Sequence, residues 1–284
     1  MFLYECLKMS QFYTIGFIFF TFINFVSILL LYNHYQNYKQ LSKNKNIDVI
    51  VQKPKHESVI VRIKNGSFVG FKQKFNKINI NTFLGIPYAQ IPDKELRFKA
   101  SIPFDYNNKQ IETTKWPKPC LQPDNHLLLN NNNFSEDCLY LNIWSPEVKS
   151  KKKFPVLVII HTGAFIFGSA SEITYNGLAL SQLSNSVVVT FNYRLNLFGF
   201  YYNNQEMITP NVGMLDQVAV LLWIKQNIHY FNGDSKRIIL IGQVSHYDYY
   251  CKHYPREAKT FDLNQCFFFR HQQVLQRECT SHHL

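Results

Sequence analysis

The sequence predicts an α/β fold: a mostly parallel, doubly wound sheet entered through an antiparallel hairpin and preceded by one membrane-spanning helix. Three observations carry that prediction. Apolar runs at 139–144, 154–161, 186–194 and 237–242 recur at strand–helix–strand spacing. Residues 59–71 alternate about Lys64-Asn65-Gly66, the pattern of a hairpin with an Asn-Gly turn. Residues 12–32 contain no charged side chain.

At about 1.5 Å per residue, the uncharged run 12–32 spans about 30 Å, the thickness of the hydrocarbon core of a bilayer. It follows a short segment, 1–11, and is longer than a usual signal-peptide core, so an uncleaved anchor is favoured. Cleavage, giving a secreted product, is the alternative. Lysines at 39, 43, 45, 53 and 55 follow the run and by charge alone favour a cytoplasmic C-terminal side. The domain beyond them has the features of an extracellular or lumenal one, and large folded regions translocate largely regardless of charge. The expectation is therefore a single-pass membrane protein with its domain outside. Residues 33–57 are polar and aperiodic and read as a linker.

In the domain, 58–243, FPVLVIIH (154–161) and SVVVTFNYR (186–194) are continuous and β-branched, as strands buried on both faces should be. Between them, 172–184 has room for a crossover helix. LYLNIW (139–144) precedes them as a further strand. Residues 213–230 read as an amphipathic helix, with Leu215, Val218, Leu222, Ile224 and Ile228 on the apolar face and Asp216, Lys225 and Gln226 on the polar face. Asn232-Gly233-Asp234 ends it, and RIILIG (237–242) is the next buried strand. Residues 121–137 form a loop containing four consecutive asparagines. The tail, 244–284, has no periodicity and is expected to be disordered and unrelated to the domain.

The formal net charge of +11 is scattered rather than clustered on one element, which excludes a nucleic-acid partner and reads as solvated surface. Six cysteines and ten histidines form no metal-ligand spacing, so neither a metal nor another cofactor is expected. Asn65 (Asn-Gly-Ser) and Asn133 (Asn-Phe-Ser) are N-glycosylation sequons. The loop at 161–165 can be read, on its pattern alone, as an ordinary small-residue turn after a strand.

Several long strings in order resemble the type-B carboxylesterase and cholinesterase family of α/β-hydrolases. They are FLGIPYAQIPDKELRFKA (83–100), SEDCLYLNIWSP (135–146), PVLVIIHTGAFIFGSAS (155–171), VVVTFNYRLNLFGF (187–200) and the segment 211–242. The resemblance covers about 58–243, the N-terminal part of a family domain, so a truncated α/β-hydrolase fold is expected. It implies that Gly163 and Ala164 donate the two backbone N–H groups of an oxyanion hole. Thr162 stands where the family carries its first glycine. The resemblance also implies a Cys120–Cys138 disulfide, which over such a loop contributes about 3 kcal/mol. It implies two internal, structural ion pairs, Arg97–Glu136 and Arg194–Asp216. The loop 121–137 has no tryptophan, so choline selectivity is unsupported.

The family next places Gly-x-Ser-x-Gly. Here the residues are Gly242-Gln243-Val244-Ser245-His246, with Val244 at the nucleophile position. No catalytic serine, acid or histidine of a triad is therefore assigned, and Ser245, His246 or His253 and Asp248 do not make a substitute, because triad members converge from separate elements. Val-Ser can be encoded by GTAAGT, an intron donor, so 244–284 is expected to be intron read-through or an alternative end. A sheet ending at 237–242 would leave an unpaired apolar edge and an aggregation-prone product. Two functions follow as expectations. The first is a serine carboxylic ester hydrolase, acting on a small ester, whose present chain is truncated and inactive. The second is a membrane-anchored recognition protein, neuroligin- or neurotactin-like, with a cell-surface protein partner.

Overall fold

The structure, a computed structural model, describes residues 57–76, 78–123, 133–147, 153–203 and 208–243, and the backbone of 265–270 and 273–277. The run 12–32, the linker up to residue 56, Val244 and the Ser245–His253 stretch lie outside the described residues. Among the described residues, no helix is long and apolar enough to cross a membrane.

Strands β1 (Ser58–Ile63) and β2 (Gly66–Phe75) form the expected hairpin, with Ile63 opposite Gly66. Lys64 and Asn65 alone make its loop. Gly66 is the first residue of β2, where a Cβ would lie 2.8 Å from that of Tyr106. β3 (Ile78–Pro87) runs antiparallel to β2, and β4 (Gln110–Glu112) pairs parallel with β2. β5 (Tyr140–Pro146), β6 (Phe154–Ile160), β7 (Val187–Phe191) and β8 (Gly233–Gln243) follow. The spatial order is β1-β2-β3-β5-β7-β6-β8, continued by β9 (Gln265–Arg270) and β10 (Gln273–Arg277).

The sheet is mixed rather than mostly parallel. β7, β6, β8 and β9 are parallel neighbours, whereas every step along β1-β2-β3-β5-β7 is antiparallel. Residues 64–65 and 76–77 are the whole connections at the start of the sheet. Two residues suffice for a hairpin, whereas a parallel return needs a dozen or more. The expected tail also differs from the structure. Within 244–284, β9 pairs parallel with β8, from Ile239 opposite Gln265 to Gln243 opposite Phe269, so the β8 edge is covered. An unpaired strand edge is a template for any short run able to extend, and QCFFFR and QVLQR supply two such runs.

Period-2 alternation decides which helix each strand residue meets. Val156, Val158, Ile160, Val187, Val189, Ile238 and Leu240 join the larger core with Phe68, Phe83 and Trp223. Leu157, Val188 and Trp144 join a smaller one on the other face, with Ile159, Ile239 and Ile241 half-buried beside them. The crossover segment 172–184 becomes a 3-10 turn at Ile173–Tyr175 and helix α1 (Leu178–Ser184), whose Leu178 and Leu180 pack on the smaller core. After β7 come a short helix α2 (Asn196–Phe200) and the long α3 (Val212–Asn227), which packs on the larger core and runs into a 3-10 turn, Ile228–Phe231. Asn232, at φ 64°, ends it.

The faces of α3 are not those expected. Met214, Gln217, Val220, Leu221 and Ile224 are buried, Leu222 is exposed, and Asp216 is fully buried. Covered on more than one side, the helix shows no clean apolar stripe, and a buried carboxylate sits where solvent was expected.

Candidate oxyanion site

Loops that follow neighbouring strands on opposite faces diverge and leave a crevice at the strands' carboxyl ends. β6 leads to α1 on one face, and β7 leads to α3 on the other. The loop 161–172 and the segment 192–196 meet at this point. The His161 ring stacks on Tyr193 at 4.7 Å between centroids. The Asn196 N–H donates to the Phe165 carbonyl at 2.7 Å.

Gly163, Ala164 and Phe165 all have positive φ, 128°, 51° and 63°. A side chain at Gly163 would collide with the Phe167 carbonyl oxygen, so only glycine fits there. The left-handed Ala164 and Phe165 each store strain of order 1–3 kcal/mol, which the surroundings must hold. The Gly163 carbonyl accepts from the Ile166 and Phe167 N–H groups, at 2.9 and 3.1 Å, and this folds the loop back on itself. Among the described residues, the N–H groups of Gly163 and Ala164 donate no hydrogen bond within the chain. Two adjacent donors with no partner, on a backbone that cannot relax, can stabilise a developing negative charge.

Thr162 does not disturb this loop. Its φ is not positive, so a β-branched residue is tolerated. The Tyr175 hydroxyl accepts from the Thr162 N–H at 2.8 Å and donates to Thr162 Oγ1 at 3.2 Å. His161 Nδ1 donates to the Thr162 carbonyl at 2.9 Å. At the other end of the loop, Gly168 (φ 113°) is held by Gln122 through both atoms of its amide. Asn192 Oδ1 then accepts from the Ala170 N–H at 2.8 Å and from Ser169 Oγ at 3.2 Å. Glu172 Oε1 accepts from the Ser169 N–H at 3.0 Å. Burial lifts the Glu172 carboxyl above its ordinary range, and that hydrogen bond opposes the lift.

The remaining expected residues surround this centre. Cys120 and Cys138 are bonded, with their Cα atoms 5.0 Å apart. Arg194 Nε and Nη2 donate to the Asp216 carboxylate at 2.8 and 2.7 Å, and the Arg194 N–H adds a third bond at 3.1 Å. Burial pulls the Arg194 guanidinium down, and Asp216 outweighs it, so the net shift is upward. Arg97 and Glu136 form a two-fold contact at 2.7 and 2.5 Å. It is not internal as expected: the Arg97 side chain is 40% exposed. It joins the 94–97 turn to the disulfide segment at the surface, where a pair contributes little. Asn65 and Asn133 are both exposed. Val244 lies outside the described residues, so only the loop after β6 is positioned. Among those residues no group of three or more His, Cys, Asp or Glu can hold a metal ion.

Gln122, Tyr175, Asn192, Asn196 and Glu172 were not picked out by the sequence. For Asn192 and Asn196 the one signal is that polar residues follow on β7, where an apolar run has stopped; Gln122, Glu172 and Tyr175 carry none.

A mixed sheet with helices on both faces, and a tight loop at the carboxyl end of its parallel strand β6, is consistent with a partial α/β-hydrolase fold. The carboxylesterase family profile matches residues 57–245, and the chain belongs to the carboxylesterase family. It is 39% identical over 169 residues to a para-nitrobenzyl esterase of Bacillus subtilis (strain 168), covering 58% of this chain and 34% of that one. It is 40% identical over 189 residues to carboxylesterase 1E of Rattus norvegicus, covering 62% and 32%. With acetylcholinesterase-1 of Trittame loki it shares 37% over 192 residues, covering 65% and 34%. The solved structure of a thermophilic PNB esterase superposes with a TM-score of 0.60 at 36% identity, over 65% of this chain and 38% of that one. The chain spans about a third of the length of the curated relatives it matches.

Proposed function

We propose that this domain is the oxyanion-stabilising part of a carboxylic ester hydrolase and that the chain, as its sequence stands, does not turn over esters. The observation that carries the first half is the Gly163–Ala164 N–H pair at the carboxyl end of β6, which has no partner among the described residues. An ester carbonyl becomes tetrahedral and anionic on attack, and two fixed donors stabilise that oxygen more than the planar ground state. The second half rests on Val244. In the sequence it occupies the position that the resemblance gives to the attacking serine, and a hydrocarbon side chain can neither attack nor be activated by a base. The absence of a tryptophan from residues 121–137 favours a simple ester over a choline ester.

The experiment is turnover of p-nitrophenyl acetate by the purified chain. The expected rate equals that of a heat-treated control. Hydrolysis above that control, lost on treatment with an organophosphate, overturns the inactive reading.

The same Val244 favours a second reading, a membrane-anchored recognition protein that keeps the scaffold without the chemistry. The uncharged run 12–32 supports an anchor with the domain extracellular or lumenal, and the exposed Asn65 and Asn133 sequons are compatible with that side. Fractionation into carbonate-washed membranes, with a mobility shift on glycosidase treatment, is the outcome this reading expects. A carbonate-extractable product without a mobility shift contradicts it.

A further inference from the structure

We propose that Gln122 is a positioning residue for the Gly163–Ala164 amide pair, and that the Cys120–Cys138 disulfide acts on the oxyanion site through it. The proposal rests on the oxyanion reading above and adds what sets the geometry of that site.

Residues 117–121 form a strap across the loop, and each of its five carbonyls accepts a hydrogen bond. Pro117 accepts from Ser171 Oγ at 2.7 Å, and Lys118 accepts from Asn192 Nδ2 at 3.0 Å. Pro119 accepts from the Ser135 N–H at 3.0 Å, and Leu121 accepts from Asn196 Nδ2 at 2.8 Å. Cys120 accepts from Gln122 Nε2 at 3.0 Å. The disulfide fixes the strap to Cys138, two residues before β5.

Gln122 is the side chain by which this strap reaches the loop. Its Oε1 accepts from the Gly168 N–H at 2.8 Å, and its Nε2 donates to the Gly168 carbonyl at 3.0 Å. Both backbone groups of a buried residue are thus satisfied by one amide. Gly168 sits directly against Thr162: a Cβ there would meet the Thr162 carbonyl oxygen, and His161 Nδ1 at 2.6 Å. The two ends of the 162–168 loop therefore touch, and holding Gly168 fixes the closure of the turn in which the Gly163 carbonyl accepts two N–H groups. The directions of the Gly163 and Ala164 N–H bonds follow from that closure. Removing the Gln122 amide leaves two buried backbone groups unpaired and lets the strained turn open.

The test is amide hydrogen exchange on the full chain, read in the 161–168 segment against β6 and α3 as internal references. In Gln122→Ala, exchange at 161–168 is expected to rise about tenfold with the references unchanged. Gln122→Glu keeps the acceptor for Gly168 N–H and loses the donor, so it is expected to fall between the two. Replacing both Cys120 and Cys138 by Ser is expected to speed the loop in the parent chain and to add less than about twofold in the Gln122→Ala background, because coupled groups are non-additive. In Gln122→Ala, an unchanged loop or a rise shared by β6 and α3 would overturn the proposal, as would a Gln122→Glu effect equal to Gln122→Ala, or additive effects of the two changes on the loop. Phenylphosphonate added to the parent chain separates the two readings. A loop that Gln122 protects but that does not respond to the phosphonate counts against the oxyanion reading alone.

Discussion

At the centre of the sheet, Val156, Val158, Val187, Val189 and Ile238 are fully buried side chains in one apolar cluster. A few residues beyond the end of β6, the loop 161–168 is held by another means. Tyr175, Gln122 and Asn196 grip its backbone, and three consecutive residues sit at positive φ. Burial is non-directional, so the sheet tolerates any side chains of the right volume and patterning. Hydrogen bonds are directional, so the loop tolerates little change in what grips it. The difference teaches where each quantity resides: the strands carry stability, and the loop carries geometry that the strands alone do not dictate.

Substitutions in the sheet region should therefore cost global stability, and those in the loop should chiefly cost local order. The largest loss is expected from Trp144→Ala, which empties the centre of the smaller core, at about 3–5 kcal/mol. Asp216→Ala should cost about as much, about 3–5 kcal/mol, because it leaves the Arg194 guanidinium buried and unpaired. Denaturant midpoints measure both, and a cost below about 1 kcal/mol for either would break the comparison from the sheet side. Removing the disulfide with Cys120→Ser and Cys138→Ser together should cost about 3 kcal/mol by the same measurement.

Gly163→Ala sharpens the contrast. The added methyl meets the Phe167 carbonyl, at a strain of about 1–3 kcal/mol. It should rearrange the loop while circular dichroism of the sheet stays unchanged. Loss of the sheet signal would mean that loop and strands are one cooperative unit. The smallest effect belongs to Glu172→Gln. Burial raises the folded-state value of Glu172, so its ionisation opposes folding as pH rises above about 4.3, the ordinary glutamate value. The neutral amide still accepts the Ser169 N–H and removes that penalty. Thermal midpoints should therefore be equal at low pH and slightly higher for Glu172→Gln near neutrality. A lower midpoint near neutrality would show that the charge itself is needed.

How much of this was legible in the sequence follows the same division. The runs at 154–161, 186–194 and 237–242 marked β6, β7 and β8 because buried parallel strands must be continuously apolar. The hairpin was readable from alternation about Lys64-Asn65. The resemblance pointed to the disulfide and both ion pairs, which the structure forms, with Arg97 partly exposed, and to Gly163 and Ala164 as donors, the reading proposed above. The antiparallel run through β3 and β5 was not readable, since a strand's sequence does not name its neighbours. The buried side of α3 was misassigned because Asp216 is polar by type and buried by virtue of its partner, a contact 22 residues away. Gln122 and Tyr175 escaped for the related reason that a gripping residue needs only one amide or hydroxyl in the right place, a property with no periodicity.

The central claim is that Gly163 and Ala164 present an intact pair of donors to an oxyanion. The direct measurement is a titration of the full chain, labelled with ¹⁵N-glycine and ¹⁵N-alanine, with phenylphosphonate. The expected result is that the Gly163 and Ala164 amide resonances move together and saturate, while the Gly168 amide, already bonded to Gln122, stays in place. Titration that leaves Gly163 and Ala164 unmoved, or that moves Gly168 equally, would contradict it.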